Sequence, residues 1–376
     1  MILKKRPSLL FCLAVTAVSS VHAADPPDTL TTANGEKLIG HLVRSNGGSV
    51  TFHSDTLGDV TIDWAKVKDL HSSRKFAVIP KDVSLDHKAH HQAKDAPGIA
   101  HGAIAVTDQK IEVTPASGPP QTIATKDAAH MIDQAAFDAA TTRDGNFLKH
   151  WTGTLTGGAS LVEATQNSDT FTGTVHLVRT MPLEDWLDPS NRTSLNFSAS
   201  YGKIDQPATP TVKTEILHLD VERDEYFESR VYGFGIASYD HNFSQGLDLQ
   251  QTYGGGIGWT AIKSANQTLD LKASMNYQSQ HFETSASNAN LVGSAFTELY
   301  HRKLPLNIQF NEQLTVTPAW NKTNDYSAAG TAGFTLPVYK RLALAINTTD
   351  TFLNDPPPTF KKNSFQFTTG ITYSLR

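Results

Sequence analysis

The stretch Phe365-Gln366-Phe367-Thr368-Thr369-Gly370-Ile371-Thr372-Tyr373-Ser374-Leu375-Arg376 alternates apolar and polar side chains up to the end of the sequence. A β-strand with one apolar face must place that face against a nonaqueous phase. About a dozen such stretches, each ending at a turn cluster, follow residue 150. The pattern predicts an all-β, antiparallel transmembrane barrel whose apolar side contacts membrane lipid.

We predict twelve barrel strands within residues 151–376. An even number lets the last strand pair with the first, which removes both sheet edges. The strands are predicted near residues 151–161, 171–180, 191–202, 214–224, 230–239, 247–261, 267–280, 293–301, 306–316, 326–336, 341–352 and 364–375.

The lengths of the predicted connections alternate, as they do in outer-membrane barrels with short periplasmic turns and long outer loops. Four of the five even-numbered connections are short. They lie near 225–229, 262–266, 302–305 and 337–340. The first even-numbered connection, Met181 to Ser190, is the exception. The odd-numbered connections include longer ones such as Leu353 to Asn363, whose three consecutive prolines cannot continue a strand ladder.

Two sets of barrel residues are expected to face the membrane. The lipid-facing candidates are Leu155, Leu161, Val175, Leu177, Leu195, Phe197, Tyr201, Val231, Tyr239, Leu269, Leu271, Leu306, Ile308, Leu342, Leu344, Ile346, Phe365, Ile371 and Tyr373. Aromatic residues near strand ends fit the interfacial girdles of such barrels. They are Trp151, Trp186, Tyr201, Tyr226, Phe227, Tyr239, Phe243, Trp259, Trp320, Tyr326, Tyr339 and Phe352.

Residues 1–23 have the features of a secretory signal peptide: a basic segment at 4–6, a short apolar core at Leu9–Val18 and a small residue, Ala23, at the cleavage position. The core is too short to span a bilayer as a helix. Cys12, the one cysteine, is removed with the signal, so the mature chain is expected to have no disulfide or thiolate chemistry. The net charge of −5 becomes more negative on cleavage, which argues against nucleic acid as a partner.

Residues 24–133 are predicted to form a small periplasmic β domain, followed by a linker at 134–150. The domain contains two copies of one SH3-like module, at about 28–72 and 98–133, because an apolar pattern recurs 61 or 62 residues later. The matched pairs are Gly40 and Gly102, Leu42 and Ile104, Val50 and Ile111, Phe52 and Val113, Ile62 and Ile123, and Leu70 and Met131.

Three segments of the barrel resemble a known family: Trp151 to Gly158, Arg223 to Phe227, and Tyr253 to Trp259. Together they resemble the domain of unknown function 481 family, described as putative salt-induced outer membrane proteins. The segment Gly35–Leu70 resembles a module found ahead of that domain. The resemblance implies a Gram-negative outer-membrane barrel inserted by the barrel assembly machinery, and it supplies no catalytic residue. Barrels of this kind usually end in an aromatic residue, whereas this sequence ends in Arg376.

Two alternatives, a metal site and a hydrolase, depend on particular residues. The histidines His87, His90, His91 and His101 have spacings that can place two imidazoles on one helix face for Zn²⁺ or Ni²⁺, but no second motif fixes a geometry. We therefore predict no metal and no cofactor.

A lipid hydrolase would need a serine, a histidine and an amide. Ser238 lies near His241 and Asn242, and His176 and His218 lie in strands, but the Gly-x-Ser-x-Gly elbow is absent from the sequence. We predict no catalytic residue and a non-enzymatic barrel that forms a narrow pore or binds a ligand. A structural protein that docks a periplasmic protein or the cell wall is one alternative, and the hydrolase is the other.

Overall fold

The computed structural model describes residues 26–83, 98–141, 146–162, 167–182, 186–205 and 211–375. These residues fall into two compact units, 26–83 with 98–135 and 136–375. The predicted signal peptide and the linker residues His87, His90 and His91 lie outside the described residues. Within the described ranges, no helix is both long and apolar enough to cross a membrane.

The N-terminal unit is one nine-stranded antiparallel sheet. Its strands run in the order β4-β3-β2-β1-β5-β6-β7-β8, and β9 pairs with both β2 and β5, so that β1, β2, β9 and β5 close a ring. The bounds are β1 Asp28–Thr32, β2 Lys37–Ser45, β3 Ser49–Ser54, β4 Gly58–Asp63, β5 Val67–Pro80, β6 Ala100–Thr107, β7 Lys110–Thr114, β8 Gln121–Ala124 and β9 Ala128–Asp133.

The two halves of this sheet have the same order of elements. Apart from β1, which precedes the first half, each half has three strands, a 3₁₀ turn (Trp64–Lys66 or Thr125–Asp127) and a final strand. The first strand of each half pairs with the last strand of the other, β2 with β9 and β6 with β5. One shared core results, and the SH3-like shape of each half stays a prediction. The matched residues Leu42, Ile104, Val50, Ile111, Phe52, Val113, Leu70 and Met131 are buried in it.

Gly40 and Gly102, the matched glycines, lie where a neighbouring backbone comes very close. A Cβ atom on Gly40 would lie 1.9 Å from the His53 carbonyl oxygen, and one on Gly102 would lie 2.1 Å from the Thr114 carbonyl oxygen. Both distances are far below van der Waals contact. Each half therefore needs glycine at this position.

A buried ion pair joins β1 to β5. Asp28, which is 1% exposed, accepts hydrogen bonds at 2.7 Å from the Leu42 amide and from Arg74 Nη2. Arg74 Nη2 also donates to the Leu42 carbonyl oxygen at 2.7 Å. The pair fixes the end of β1 against β2, because a buried carboxylate requires partners.

The second unit contains α1 (Gln134–Thr141) and a closed antiparallel barrel of twelve strands. Each strand pairs with its sequence neighbours, and β10 closes the ring on β21 with Gly153 opposite Leu375 and Gly157 opposite Ile371. The bounds are β10 Thr152–Val162, β11 Asn167–Met181, β12 Asn191–Asp205, β13 Val212–Tyr226, β14 Val231–Asn242, β15 Leu247–Lys263, β16 Gln267–Phe282, β17 Ala289–Lys303, β18 Gln309–Pro318, β19 Tyr326–Tyr339, β20 Leu342–Leu353 and β21 Asn363–Leu375.

The twelve predicted strands are confirmed with small shifts at their ends. The largest differences are at β11 and β17, which begin four residues before the predicted 171 and 293. β18 was predicted to begin at 306 and begins at Gln309. Leu306 lies in a 3₁₀ turn with φ of +62°, because Pro305 cannot donate to a ladder, so its assignment to a lipid-facing strand position was wrong.

The barrel has a near end, where Thr152 and Leu375 lie, and a far end. The near-end connections are short after the first, at 227–230, 264–266, 304–308 and 340–341, as predicted. The first, 182–190, is longer, which was also predicted. Far-end connections include the longer segments 319–325 and 354–362.

The outer face of the barrel is a band of exposed apolar side chains. Its members alternate along each strand with residues that face the interior. Examples on six strands are Phe197, Leu217, Ile257, Met275, Phe296 and Ile371. An exposed apolar area of this extent is not found on monomeric water-soluble proteins unless it contacts a partner or a membrane.

We expect Gly102→Ala to destabilise the N-terminal sheet by about 1–3 kcal/mol, because the new methyl group overlaps the Thr114 carbonyl. Hydrogen exchange of the full chain should become faster in peptides covering 98–115. Gly48→Ala is the control, since a Cβ on Gly48 meets nothing within 4 Å. Equal protection in both variants would contradict the prediction.

Candidate functional site in the barrel interior

Ion pairs between strands that are not neighbours identify the inner face. Lys272 Nζ on β16 lies 2.7 Å from both carboxylate oxygens of Glu222 on β13, and β14 and β15 lie between these strands. Side chains can span that gap only through the interior. The pairing register then places the even-numbered residues of β12–β14 and of the central parts of β15 and β16 inside the barrel.

A second cross-barrel contact lies closer to the near end. Arg192 on β12 donates from Nε to Asp224 Oδ2 at 2.6 Å and from both terminal nitrogens to Asp270 Oδ2 at 3.3 Å. Its guanidinium carbon lies 5.3 Å from the ring centre of Tyr232 and 6.0 Å from that of Tyr226. Asp224 is 1% exposed. One arginine therefore ties β12, β13 and β16 together.

Glycines on β15 make room for this cluster. The Tyr232 ring is fully buried, and a Cβ on Gly258 would lie 2.2 Å from it. A Cβ on Gly256 would lie 2.0 Å from the Ala273 carbonyl oxygen. The backbones of β15 and β16 therefore approach too closely here for any larger residue. Tyr226 packs against Tyr232 at 4.9 Å, and its predicted place in the interfacial girdle was wrong.

At mid-depth, His218 lies between two carboxylates. Its Nδ1 is 2.5 Å from Asp240 Oδ1, and its Nε2 is 2.9 Å from Asp220 Oδ1. A carboxylate accepts and cannot donate while ionised, so both ring nitrogens donate here. The arrangement holds His218 as an imidazolium shared by two aspartates.

Amide side chains extend this contact around the wall. Asn196 Nδ2 donates to Asp220 at 2.9 Å, and Gln250 Nε2 donates to Asp240 at 3.3 Å. His176 bonds to Asn196 on one side, and Gln280 Nε2 donates to Gln250 at 2.8 Å on the other. The resulting belt crosses six adjacent strands, β11 to β16, which is half of the ring.

The opposite wall is uncharged and made of small side chains. Between the rims, the described interior positions of β18–β21 and β10 are mostly Thr, Ala, Gly, Asn, Gln and Ser. Direct side-chain bonds here include Thr156 with Thr372 at 2.7 Å, Thr297 with Thr315 at 3.1 Å, and His301 Nδ1 with Asn311 Oδ1 at 2.6 Å. The interior is therefore asymmetric, with one charged and one neutral wall.

Part of the neutral wall remains open to water. Asn311 and Gln313 on β18, and Ala329 and Thr331 on β19, face inward and yet are exposed. Side chains that filled the interior would bury these residues. A polar space therefore runs beside β18 and β19.

Loops from opposite sides of the ring meet at the far end. Gln245, in the β14–β15 turn, is 2% exposed and donates from Nε2 to the carbonyls of Thr351 at 3.2 Å and Lys362 at 2.9 Å. The β20–β21 connection lies six strands away, half of the barrel. The Phe360 ring packs on Gly246, where a Cβ would lie 2.7 Å from it. The two connections thus form a cap across the far mouth.

The rim beside this cap is held by an ionic contact. Lys322 Nζ lies 2.7 Å from Asp325 and 3.4 Å from Asp355, joining the 319–325 and 354–362 connections. The hydrogen bond with Asp325 raises the pKa of Lys322. The backbone N–H of Asn354 also donates to the Tyr326 carbonyl oxygen at 3.0 Å.

The residues considered for a hydrolase do not form a catalytic group. Ser238 faces the interior, whereas His241 pairs with Leu217 and faces outward, with its Nδ1 2.7 Å from the Asp248 carbonyl. His218 pairs with the interior Ser198 in the strand register, but both its nitrogens donate to carboxylates, so it has no lone pair to accept a proton.

Within the part of the chain that the structure describes, no arrangement of side chains supports a metal site. There, no three His, Cys, Asp or Glu residues form a group that could hold an ion. His101 lies on β6 and bonds to Gln134 Oε1 at 2.8 Å. Its three predicted companions lie outside the described residues.

Comparison with known families then gives a clear result. The family described as "Protein of unknown function, DUF481" matches residues 156–375. The chain belongs to the DUF481 family. No curated protein matches its sequence.

Solved structures similar to this DUF481 chain are barrels with low sequence identity. The NanC porin is 8% identical, with a TM-score of 0.36, covering 60% of this chain and 100% of that one. The COG4313 outer membrane channel from Pseudomonas putida F1 is 11% identical, with a TM-score of 0.36, covering 60% and 95%. The translocator domain of the autotransporter NalP from Neisseria meningitidis is 11% identical, with a TM-score of 0.30, covering 59% and 87%. Similarity at this level carries no argument about function.

We expect Arg192→Gln to destabilise the barrel by about 3 kcal/mol, because it leaves Asp224 and Asp270 buried without a counter-charge. Urea unfolding in lipid vesicles, followed by tryptophan fluorescence, measures the change. Arg223→Gln is the matched control, since Arg223 pairs with Glu225 at 2.7 Å on the exposed outer face and its loss should cost under about 1 kcal/mol.

Adding Asp224→Asn and Asp270→Asn to Arg192→Gln should recover part of the lost stability, because no buried charge then remains unpaired. Equal losses for Arg192→Gln and Arg223→Gln would show that the cross-barrel pair does not stabilise the fold.

Proposed function

We propose that this protein is a non-enzymatic barrel of the Gram-negative outer membrane that forms a narrow polar pore, with its near end and N-terminal domain in the periplasm. The observation that supports the pore is the exposure of the inward-facing residues Asn311, Gln313, Ala329 and Thr331. This wall stays exposed although the opposite wall is filled by ion pairs. A path between the two walls suits small polar solutes.

The outer face supports the membrane location. Its exposed apolar residues match a lipid environment, and the closed ring leaves no unpaired strand edge for hydrocarbon to meet. Membrane lipid and the barrel assembly machinery are then the expected partners. A periplasmic protein or cell-wall contact of the N-terminal sheet stays a prediction, as does the salt-induced character implied by the family resemblance.

The N-terminal sheet is, in this proposal, a duplicated module. The matched glycines, the repeated order of strands and 3₁₀ turn, and the exchange of final strands between the halves support a duplication. Gly40 and Gly102 should therefore be equally intolerant of alanine.

The hydrolase alternative has little support from the interior. It needs a serine within hydrogen-bond reach of a histidine that can accept a proton. The register separates Ser238 from His241, and His218 is engaged by two aspartates.

The pore proposal predicts discrete current steps when the purified full chain is inserted into planar bilayers. The same preparation should migrate faster on SDS gels before boiling than after, as a folded barrel does, and should fractionate with the outer membrane. A folded preparation that inserts into vesicles but gives no current steps would contradict the pore.

The far-end cap should limit this conductance. We expect the double variant Gln245→Ala, Phe360→Ala to increase single-channel conductance, because both contacts that hold the 354–362 connection across the mouth are removed. Ser285→Ala, in the neighbouring β16–β17 turn, is the control. Unchanged conductance in the double variant would show that the cap does not lie in the path.

A further inference from the structure

The interior of the barrel carries more negative than positive side chains. Between the rims, the described interior carboxylates outnumber the permanent cations Arg192 and Lys272. Even with His218 protonated, the negative charges remain in excess. The carboxylates are Asp220, Glu222, Asp224, Asp240 and Asp270.

The most accessible of these charges lie at mid-depth. The side chain of Asp240 is 26% exposed and that of Asp220 is 14% exposed, whereas Glu222 is 7% exposed and already paired with Lys272. Asp220 and Asp240 share His218 as their only charged partner within 4 Å among the described residues. The open part of the interior thus meets a net negative charge.

The buried side-chain atoms without a partner in the described part of the barrel are oxygens. Among its described residues, several buried side-chain atoms have no protein partner, and none of them is a nitrogen. Carboxylate and amide oxygens accept hydrogen bonds or bind cations and cannot donate. Asp224 Oδ1, Asp270 Oδ1 and Asn276 Oδ1 are interior atoms of this kind. What these atoms lack is therefore a donor or a cation.

We infer that the pore is selective for cations and admits small cationic solutes, such as alkali-metal or ammonium ions, in preference to anions. This inference rests on the proposed pore function and adds its substrate class. A passage with one sign of charge and walls of low dielectric raises the local concentration of the opposite ion and repels ions of its own sign. The neutral wall at β18 and β19 leaves room for that ion to pass the aspartates.

Zero-current potentials in planar bilayers under a KCl gradient test the inference. The wild-type chain should pass K⁺ in preference to Cl⁻. The double variant Asp220→Asn, Asp240→Asn should lower the permeability ratio of K⁺ to Cl⁻ by at least about twofold, because asparagine keeps the side-chain shape and removes the charge. Asp350→Asn is the matched control, since Asp350 pairs with Phe365 on the outer face and should leave the ratio unchanged.

The outcomes separate the two proposals. A folded barrel that conducts without preferring K⁺, or whose preference survives the double variant, overturns cation selectivity and leaves the pore in place. Absence of current from a folded barrel overturns both. If the double variant loses its heat-dependent gel shift, the single variant Asp240→Asn gives the answer, with a smaller decrease expected.

Discussion

Closure of the sheet between β10 and β21 is the constraint on which the rest of the barrel depends. Five residue pairs, from Gly153 with Leu375 to Gly157 with Ile371, join the first strand to the last. With this junction, every barrel strand has a hydrogen-bonded neighbour on both sides. An unpaired backbone group in hydrocarbon costs several kcal/mol, so an open sheet would not be stable with this apolar outer face. Closure also creates an enclosed interior.

The enclosed interior is stabilised in two different ways. On β12 to β16, side chains reach across the lumen, as Arg192 does to Asp270 and Lys272 does to Glu222. On the remaining strands, the backbone ladder and short hydroxyl contacts such as Thr156 with Thr372 hold the wall. Gly258 on β15 makes room for the Tyr232 ring beside the ion pairs. The charged side chains therefore fill the side of the lumen at β12 to β16, whereas the side at β18 and β19 stays open.

Much of the fold followed from local sequence, because period-two alternation and turn clusters are local signals. They located β21 to within a residue and correctly predicted the long connection after Met181. The interior site was harder to predict. Alternation indicates that Asp270 faces inward, but its partner Arg192 lies 78 residues away on a strand that is not a neighbour. Proximity in sequence also misled, since Ser238 and His241 are three residues apart and so face opposite sides of β14. Tyr226 was misplaced because an aromatic residue near a strand end can face either way.

The unequal walls have a consequence for how such barrels diversify. Replacing a threonine or alanine on the inner face of β18 to β21 breaks no ion pair, so this lining can vary with little loss of stability. Replacing Arg192, Asp224 or Asp270 removes a shared support of three strands. For the proposed pore, relatives should therefore change the solute that passes by substitutions on the neutral half, while the ionic half stays the same.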